Sequence, residues 1–196
     1  MTRLLLVALL AWLPLPQAAL TPDPDGFIRD WLVLAPIPLQ GQSGADDIDT
    51  EFIFGESQPT PRDGARTAAV GAQDLTWRAH HAPEYFVDFL KAFGQTRGEY
   101  VVAYAVSYVT AGEAMDVTLA LGTNDQGKVW LNGKEVFKVA DARGLEKDAN
   151  RVPVRLVKGR NVLVFKVINE VNAWQACARF LRGDLPVTNL SIALTP

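Results

Sequence analysis

The stretch Asn124-Asp125-Gln126-Gly127-Lys128-Val129-Trp130-Leu131-Asn132-Gly133-Lys134-Glu135-Val136-Phe137 decides how the chain folds. Asn132-Gly133 signals a two-residue type I′ hairpin, because both central residues of that turn need φ > 0, which Gly adopts freely and Asn tolerates. The turn sets Leu131 opposite Lys134, Trp130 opposite Glu135 and Val129 opposite Val136. Side chains alternate along a strand, so Val129, Leu131 and Val136 share one face, while Lys128, Trp130, Glu135 and Phe137 share the other. The first face is ready for a core. The second carries two large aromatics among charges. Trp130 is therefore either a ligand platform or part of a second packing layer, under residues 140–151 (ADARGLEKDANR) or between layers.

On either side of the hairpin the pattern is β. Residues 99–110 (EYVVAYAVSYVT) are rich in β-branched and aromatic side chains. Met115, Val117, Leu119 and Leu121 alternate with Asp116, Thr118 and Ala120, as a half-buried strand does. Val152, Val154 and Leu156 alternate around Pro153, which has no N–H to give a neighbour and so predicts an edge strand. After the turn Lys158-Gly159-Arg160-Asn161, residues 162–168 (VLVFKVI) are apolar enough for burial on both faces. Strands at 174–181 and 190–194 close the chain.

Toward the N-terminus, residues 27–34 (FIRDWLVL) read as a strand stopped by Pro36 and Pro38, and 48–54 (IDTEFIF) as a short second strand after a polar loop at 41–47. Residues 55–73 form a long connection over the surface. Residues 83–94 (PEYFVDFLKAFG) mix both periods, predicting a short strand that runs into a helical turn. The expected fold is all-β: an antiparallel β-sandwich or jelly roll of about ten strands, with at most a short helix near 83–93.

The chain has 196 residues. Arg3, the apolar run 4–13 and the region 14–19 have the form of a secretory signal, too short to span a bilayer. With residues 1–19 removed and 20–26 as a linker, 27–196 make one domain of a size that buries a substantial core. No Cys near the cleavage region supports a lipid anchor, so the expected location is the periplasm or the cell exterior. Without Arg3, 18 basic side chains face 22 acidic ones; that mild acidity speaks against nucleic acid, and no basic cluster points to a membrane surface. Cys177 is the only cysteine, so the domain has no internal disulfide and Cys177 reads as a small buried hydrophobe.

Chemistry-bearing motifs are scarce. Gly41-Gln42-Ser43-Gly44-Ala45 lacks the second Gly of a nucleophile elbow, and His80-His81 point to opposite faces if they lie on a strand. Asp23, Asp25 and Asp30 miss EF-hand spacing, so no metal or cofactor is expected, structural calcium being without support. Asp116, Asp125, Glu135 and Glu170 offer carboxylates in strand-surface or turn positions, and no catalytic residue is assigned. Binding has more to rest on. Sugar hydroxyls donate to Asp and exchange hydrogen bonds with Asn, and sugar C–H faces pack on flat rings. Asn124 and Asp125 lie in one turn, and Asn172 and Trp174 beside another. If both turns sit at one end of the sandwich, these residues and Trp130 are the candidate ligand-binding set.

From Gly122 to Phe180 the sequence resembles the galactose-binding-domain-like β-sandwich. The carriers are the Trp130-Leu131-Asn132-Gly133-Lys134 hairpin, the edge strand from Arg151, and Leu156-Val157-Lys158-Gly159-Arg160-Asn161-Val162-Leu163. It is similar to the sugar-binding domain of glycoside hydrolase family 2 and to related secreted bacterial domains of carbohydrate-binding type. The resemblance implies a non-catalytic module whose partner is a glycan, or a glycan-processing enzyme on another chain. The alternative is a structural or protein-interaction sandwich in which Trp130 and Trp174 are core; an enzyme with an unrecognised site is the third reading.

Overall fold

A computed structural model describes residues 20–95 and 98–196. The expected signal segment, 1–19, lies outside the described residues. In chain order the first elements are β1 (Asp30–Pro38), α1 (Gly44–Asp47), β2 (Arg66–Thr67), β3 (Leu75–Thr76), β4 (Arg78–His81), β5 (Val87–Asp88) and α2 (Phe89–Ala92). Then follow β6 (Val101–Ala111), β7 (Met115–Thr123), β8 (Gly127–Leu131), β9 (Lys134–Val139) and β10 (Asn150–Leu156). The chain closes with β11 (Gly159–Asn169), β12 (Gln175–Arg182), β13 (Leu185–Pro186) and β14 (Ser191–Ala193). One large sheet has the order β4-β1-β6-β11-β8-β9, with β14 extending beside β6; the second has the order β10-β7-β12-β13, with β5 beside β12; β2 and β3 form a separate two-stranded ribbon. All pairings are antiparallel. The result is an all-β sandwich compatible with a jelly roll.

Alternation builds the inter-sheet core. Trp31 and Val33, Ala103 and Ala105, Leu163 and Phe165, and Val129 and Leu131 project from the first sheet onto Leu119, Leu121, Ala178 and Phe180 of the second. The intervening residues point the other way, and they are apolar too. Leu32 and Leu34, Val102, Tyr104, Val106 and Tyr108, Val162, Val164 and Trp130 form a second core. It is roofed by Ile48, Phe52, Ile53 and Trp77, from the connection between β1 and β4. The central strands of the first sheet are therefore buried on both faces, which explains why β6 and β11 read as continuous apolar runs. Each fully buried side chain of Leu or Phe size contributes roughly 1.5–3 kcal/mol.

Pro153 sits as expected on an edge, since β10 pairs only with β7. Residues 83–94 give the short strand β5 running directly into α2, whose start is capped by Asp88. Four expectations are corrected. β1 starts at Asp30 and runs through Pro36 and Pro38, because a register shift between Leu34 and Ile37 takes Pro36 out of the ladder. The expected strand at 48–54 supplies only an isolated bridge, Ile53 to Ala69, and the loop before it contains a second short helix, α1, capped by Ser43. The hairpin has its Asn132-Gly133 turn, with φ of 54° and 79°, and pairs Leu131 with Lys134 and Trp130 with Glu135. A bulge then places Phe137, not Val136, opposite Val129, and moves Phe137 off the face of Trp130 onto the inter-sheet core. Finally, Trp130 is covered by the 44–77 segment and not by 140–151. The latter runs beside β7 and β12, where Arg143 Nη2 donates to Thr123 Oγ1 at 2.9 Å and Asp148 pairs with Arg179.

The two motif asparagines explain why the hairpin and the Gly159 turn go together. Asn132 Nδ2 donates to Asn161 Oδ1 at 2.9 Å, and Asn132 Oδ1 accepts from Val162 N at 2.8 Å. Asn161, fully buried, also accepts from Val157 N at 2.9 Å and donates to the carbonyls of Val109, Val157 and Gly159. This satisfies buried turn groups that otherwise lack partners.

Candidate functional site

The turn between β7 and β8 and the turn between β11 and β12 meet at one end of the sandwich, with Glu170 at their junction. Glu170 N donates to Asp125 Oδ2 at 3.0 Å, and Glu170 O accepts from Tyr100 N at 3.1 Å. Glu170 Oε1 accepts from Gln126 Nε2 at 2.9 Å and from Gly44 N at 2.8 Å. Asn124 N donates to Gln175 O at 2.8 Å, tying the first turn to the start of β12. Asn124, Asp125 and Asn172 are thus gathered at one end. Asn172 and Val171 are exposed, Asn124 and Glu170 half-buried, and Asp125 buried.

Three non-glycine residues of this end are left-handed: Tyr100 at φ 53°, Asp125 at φ 56° and Asn172 at φ 70°. Asp and Asn tolerate that region, but a bulky aromatic does not enter it without cost, of order 1–3 kcal/mol. Tyr100 directly precedes β6 at the end of the β6–β11 ladder, opposite Glu170, and is 50 % exposed. Its carbonyl accepts from Leu39 N at 3.0 Å. The backbone around the ring is thus pinned on two sides.

The chemistry of this end is that of an acceptor. The carboxylates of Asp125 and Glu170 lie beside three buried amide oxygens, those of Asn124, Gln126 and Asn169, that have no hydrogen-bond partner among the described residues. Unpaired buried acceptors are costly and call for donors. Among the described residues, no group of three or more His, Cys, Asp or Glu side chains is placed to hold a metal ion.

Both tryptophans of the candidate set turn inward. Trp174 is 1 % exposed; its Nε1 donates to Val167 O at 3.1 Å and its ring lies 5.2 Å from that of Phe89. Trp130 is 4 % exposed, opposite Val164 on β11, with Lys128 Nζ 5.4 Å from its ring. Neither offers a free indole face, and Trp130 belongs to the roofed core rather than to the Glu170 end. The other carboxylates considered are in ion pairs: Asp116 with Arg155 at 2.8 Å and Glu135 with Lys128 at 3.2 Å. His81 Nδ1 contacts Asp30 Oδ1 at 2.8 Å. Cys177 is buried, which pushes its thiol up to about 11.

Two features escaped sequence reasoning. Tyr100 lies in the stretch 99–110 that reads as a strand, and nothing local distinguishes it from the Tyr and Val residues that follow. The other is a buried charge. Lys166 is fully buried on β11 and donates to the carbonyls of Asp47 at 3.1 Å, Ile48 at 3.0 Å and Thr50 at 2.5 Å. Glu56 Oε2 lies 3.7 Å from Lys166 Nζ and accepts from the Tyr104 hydroxyl. Burial holds the Lys166 ammonium down to about 8 and pushes the Glu56 carboxyl up. These groups fasten the roof to the sheet. A lysine inside the apolar run 162–168 was the available signal.

An open cleft of about 600 Å³ also lies between the hairpin and β10, floored by Val117, Leu131 and Val154, with Asp116, Lys134 and Arg155 at its rim. The chain matches no protein-family model, and a search of curated proteins returns no match.

Proposed function

We infer that the chain is a secreted, non-catalytic recognition module of carbohydrate-binding type, acting in the periplasm or outside the cell. Its partner is a glycan, presented alone or beside a glycan-processing enzyme on another chain. The observation that carries this reading is Tyr100: an aromatic side chain, half exposed and held left-handed, at an end rich in hydrogen-bond acceptors. Its ring takes the stacking role first assigned to Trp130 or Trp174. Glu170, Asp125 and Asn172 supply the polar contacts, with water between where side chains are recessed. The resemblance of the 122–180 region to galactose-binding-domain-like sandwiches supports the same reading by analogy of fold, which is weaker ground than the site.

A second reading, a structural sandwich with no sugar site, is favoured by the burial of Trp130 and Trp174. A glycan array probed with the wild type and Tyr100→Ala separates the two. Binding that Tyr100→Ala abolishes, with an unchanged melting temperature, supports the glycan module. No glycan bound by the wild type supports the structural sandwich.

A further inference from the structure

Phe54 is 99 % exposed, the most solvent-accessible of the large apolar side chains among the described residues. It is not on a loose loop. The preceding Phe52 and Ile53 are buried in the roofed core, and Glu56 is anchored by Tyr104 and Lys166. Gly55, at φ 69°, gives its N–H to Glu51 Oε1 at 2.6 Å, and its carbonyl accepts from Gln58 N at 3.0 Å. A tight turn rooted in the core thus holds a bare phenyl ring in water, which is unfavourable for a chain that stays alone.

The ring is flanked by two depressions. One, of about 390 Å³, is lined by Ile53, Pro59, Pro61, Thr67 and Trp77, with Arg66 at its wall. The other, of about 420 Å³, is lined by Phe52, Ala68, Ala69 and half-exposed Val70. An apolar knob and a socket of mixed lining, with Pro59 and Pro61 beside Gln58, Thr60 and Arg66, therefore lie side by side in one patch. That is what a twofold interface requires, since the same surface must serve both subunits.

Charge selects the socket. Glu51 sits at the root of the Phe54 turn, and Arg66 lines the Trp77 side. A phenyl ring that enters the Trp77-side depression meets a wall carrying Arg66, opposite in charge to the Glu51 at the root of its own turn. By symmetry the pairing occurs twice. Entry into the Val70-side depression brings the two Glu51 carboxylates toward each other instead. Arg66 is available for this role, because its contact with Asp74 is long, 3.6 Å, and both side chains are largely exposed.

We propose that the chain forms a twofold homodimer in which Phe54 of each copy fills the depression between Pro59 and Trp77 of the other, with Glu51 and Arg66 paired across the interface. The proposal is independent of the glycan reading, because the Phe54 turn belongs to the roof and the Tyr100 end does not include it.

Sedimentation equilibrium of the purified protein, from roughly 1 µM to 1 mM, tests it. The expected result is a monomer–dimer equilibrium in the wild type. Phe54→Ala weakens association at least tenfold with an unchanged melting temperature, since the side chain packs on nothing in its own copy. Arg66→Glu weakens it to a similar degree, and raising salt weakens the wild type. A wild type that stays monomeric over the whole range overturns the proposal, as does a dimer that Phe54→Ala leaves intact.

Discussion

Lys166→Met tests whether the buried ammonium fastens the roof to the sheet. Methionine keeps the length and apolar volume of the lysine stem but removes the donor. Three carbonyls, those of Asp47, Ile48 and Thr50, then lose their shared partner, and Glu56 loses its nearby cation. Each orphaned buried acceptor costs about 1–3 kcal/mol, and breaking one side of a buried pair costs about 3–5 kcal/mol. Against this stands the desolvation of the ammonium. The fall from the ordinary 10.5 to about 8, which is burial net of the attraction of Glu56, corresponds to roughly 3 kcal/mol of unfavourable charging at neutral pH. The terms oppose each other, and the carbonyls decide the sign, because methionine offers them nothing. Lys166→Met is expected to destabilise by about 2–4 kcal/mol at pH 7, read as a lower urea midpoint at constant m value. Adding Glu56→Gln recovers part of the loss by removing the uncompensated carboxylate.

The same pair gives the wild type a pH signature. Between about 8 and 10.5 the unfolded chain holds the Lys166 proton and the folded chain has released it, so this group makes stability rise with pH there. Glu56, raised by burial, binds its proton more tightly in the fold. Its contribution falls as pH climbs from the ordinary 4.5 through the folded value. Stability therefore dips between the two windows, and Lys166→Met abolishes the alkaline recovery. A Lys166→Met variant within about 0.5 kcal/mol of the wild type, with the alkaline limb intact, refutes the fastening role.

Trp130→Ala and Trp174→Ala each open a cavity in a sealed core, and each is expected to cost about 3–5 kcal/mol in urea unfolding. Asn161→Ala strips hydrogen bonds from Val157, Gly159, Val109 and Asn132 together, and is expected to cost about 2–4 kcal/mol by the same measurement. Cys177, buried and with its thiol pushed up to about 11, is expected to react with a thiol reagent at pH 8 no faster than the protein unfolds; rapid labelling of the native protein contradicts its placement.

The parts of the fold that were legible in the sequence rest on rules acting over a few residues. Asn132-Gly133 dictates its turn through φ alone, Pro153 dictates an edge through its missing N–H, and 115–121 dictates a half-buried strand through alternation. The parts that were not legible depend on partners far along the chain. The bulge at Val136 has no signature in a hairpin whose turn is ideal, yet it moves Phe137 from one face to the other. The roof over Trp130 comes from residues 44–77; its part 55–73 reads as a surface connection from its Pro, Gly, Arg and Thr content, because the apolar residues that reach the sheet, Ile48, Phe52, Ile53 and Trp77, lie outside that part. Of the site, the gathering of Asn124, Asp125 and Asn172 followed from the hairpin reading once both turns fell at the same end. The aromatic partner did not. Tyr100 stands outside its strand because its backbone turns left-handed at the last residue before β6, a choice made by its contacts with Leu39 and Glu170.

We propose that the end built around Glu170 recognises sugars through Tyr100. Its most direct test is ¹H–¹⁵N chemical-shift mapping of the protein titrated with a panel of neutral oligosaccharides. The account predicts saturable shifts concentrated on the amides of Tyr100, Val171 and Asn172, lost in Tyr100→Ala while the rest of the spectrum is preserved. No shifts with any member of the panel, or shifts confined to the Lys134 and Arg155 cleft, would contradict it.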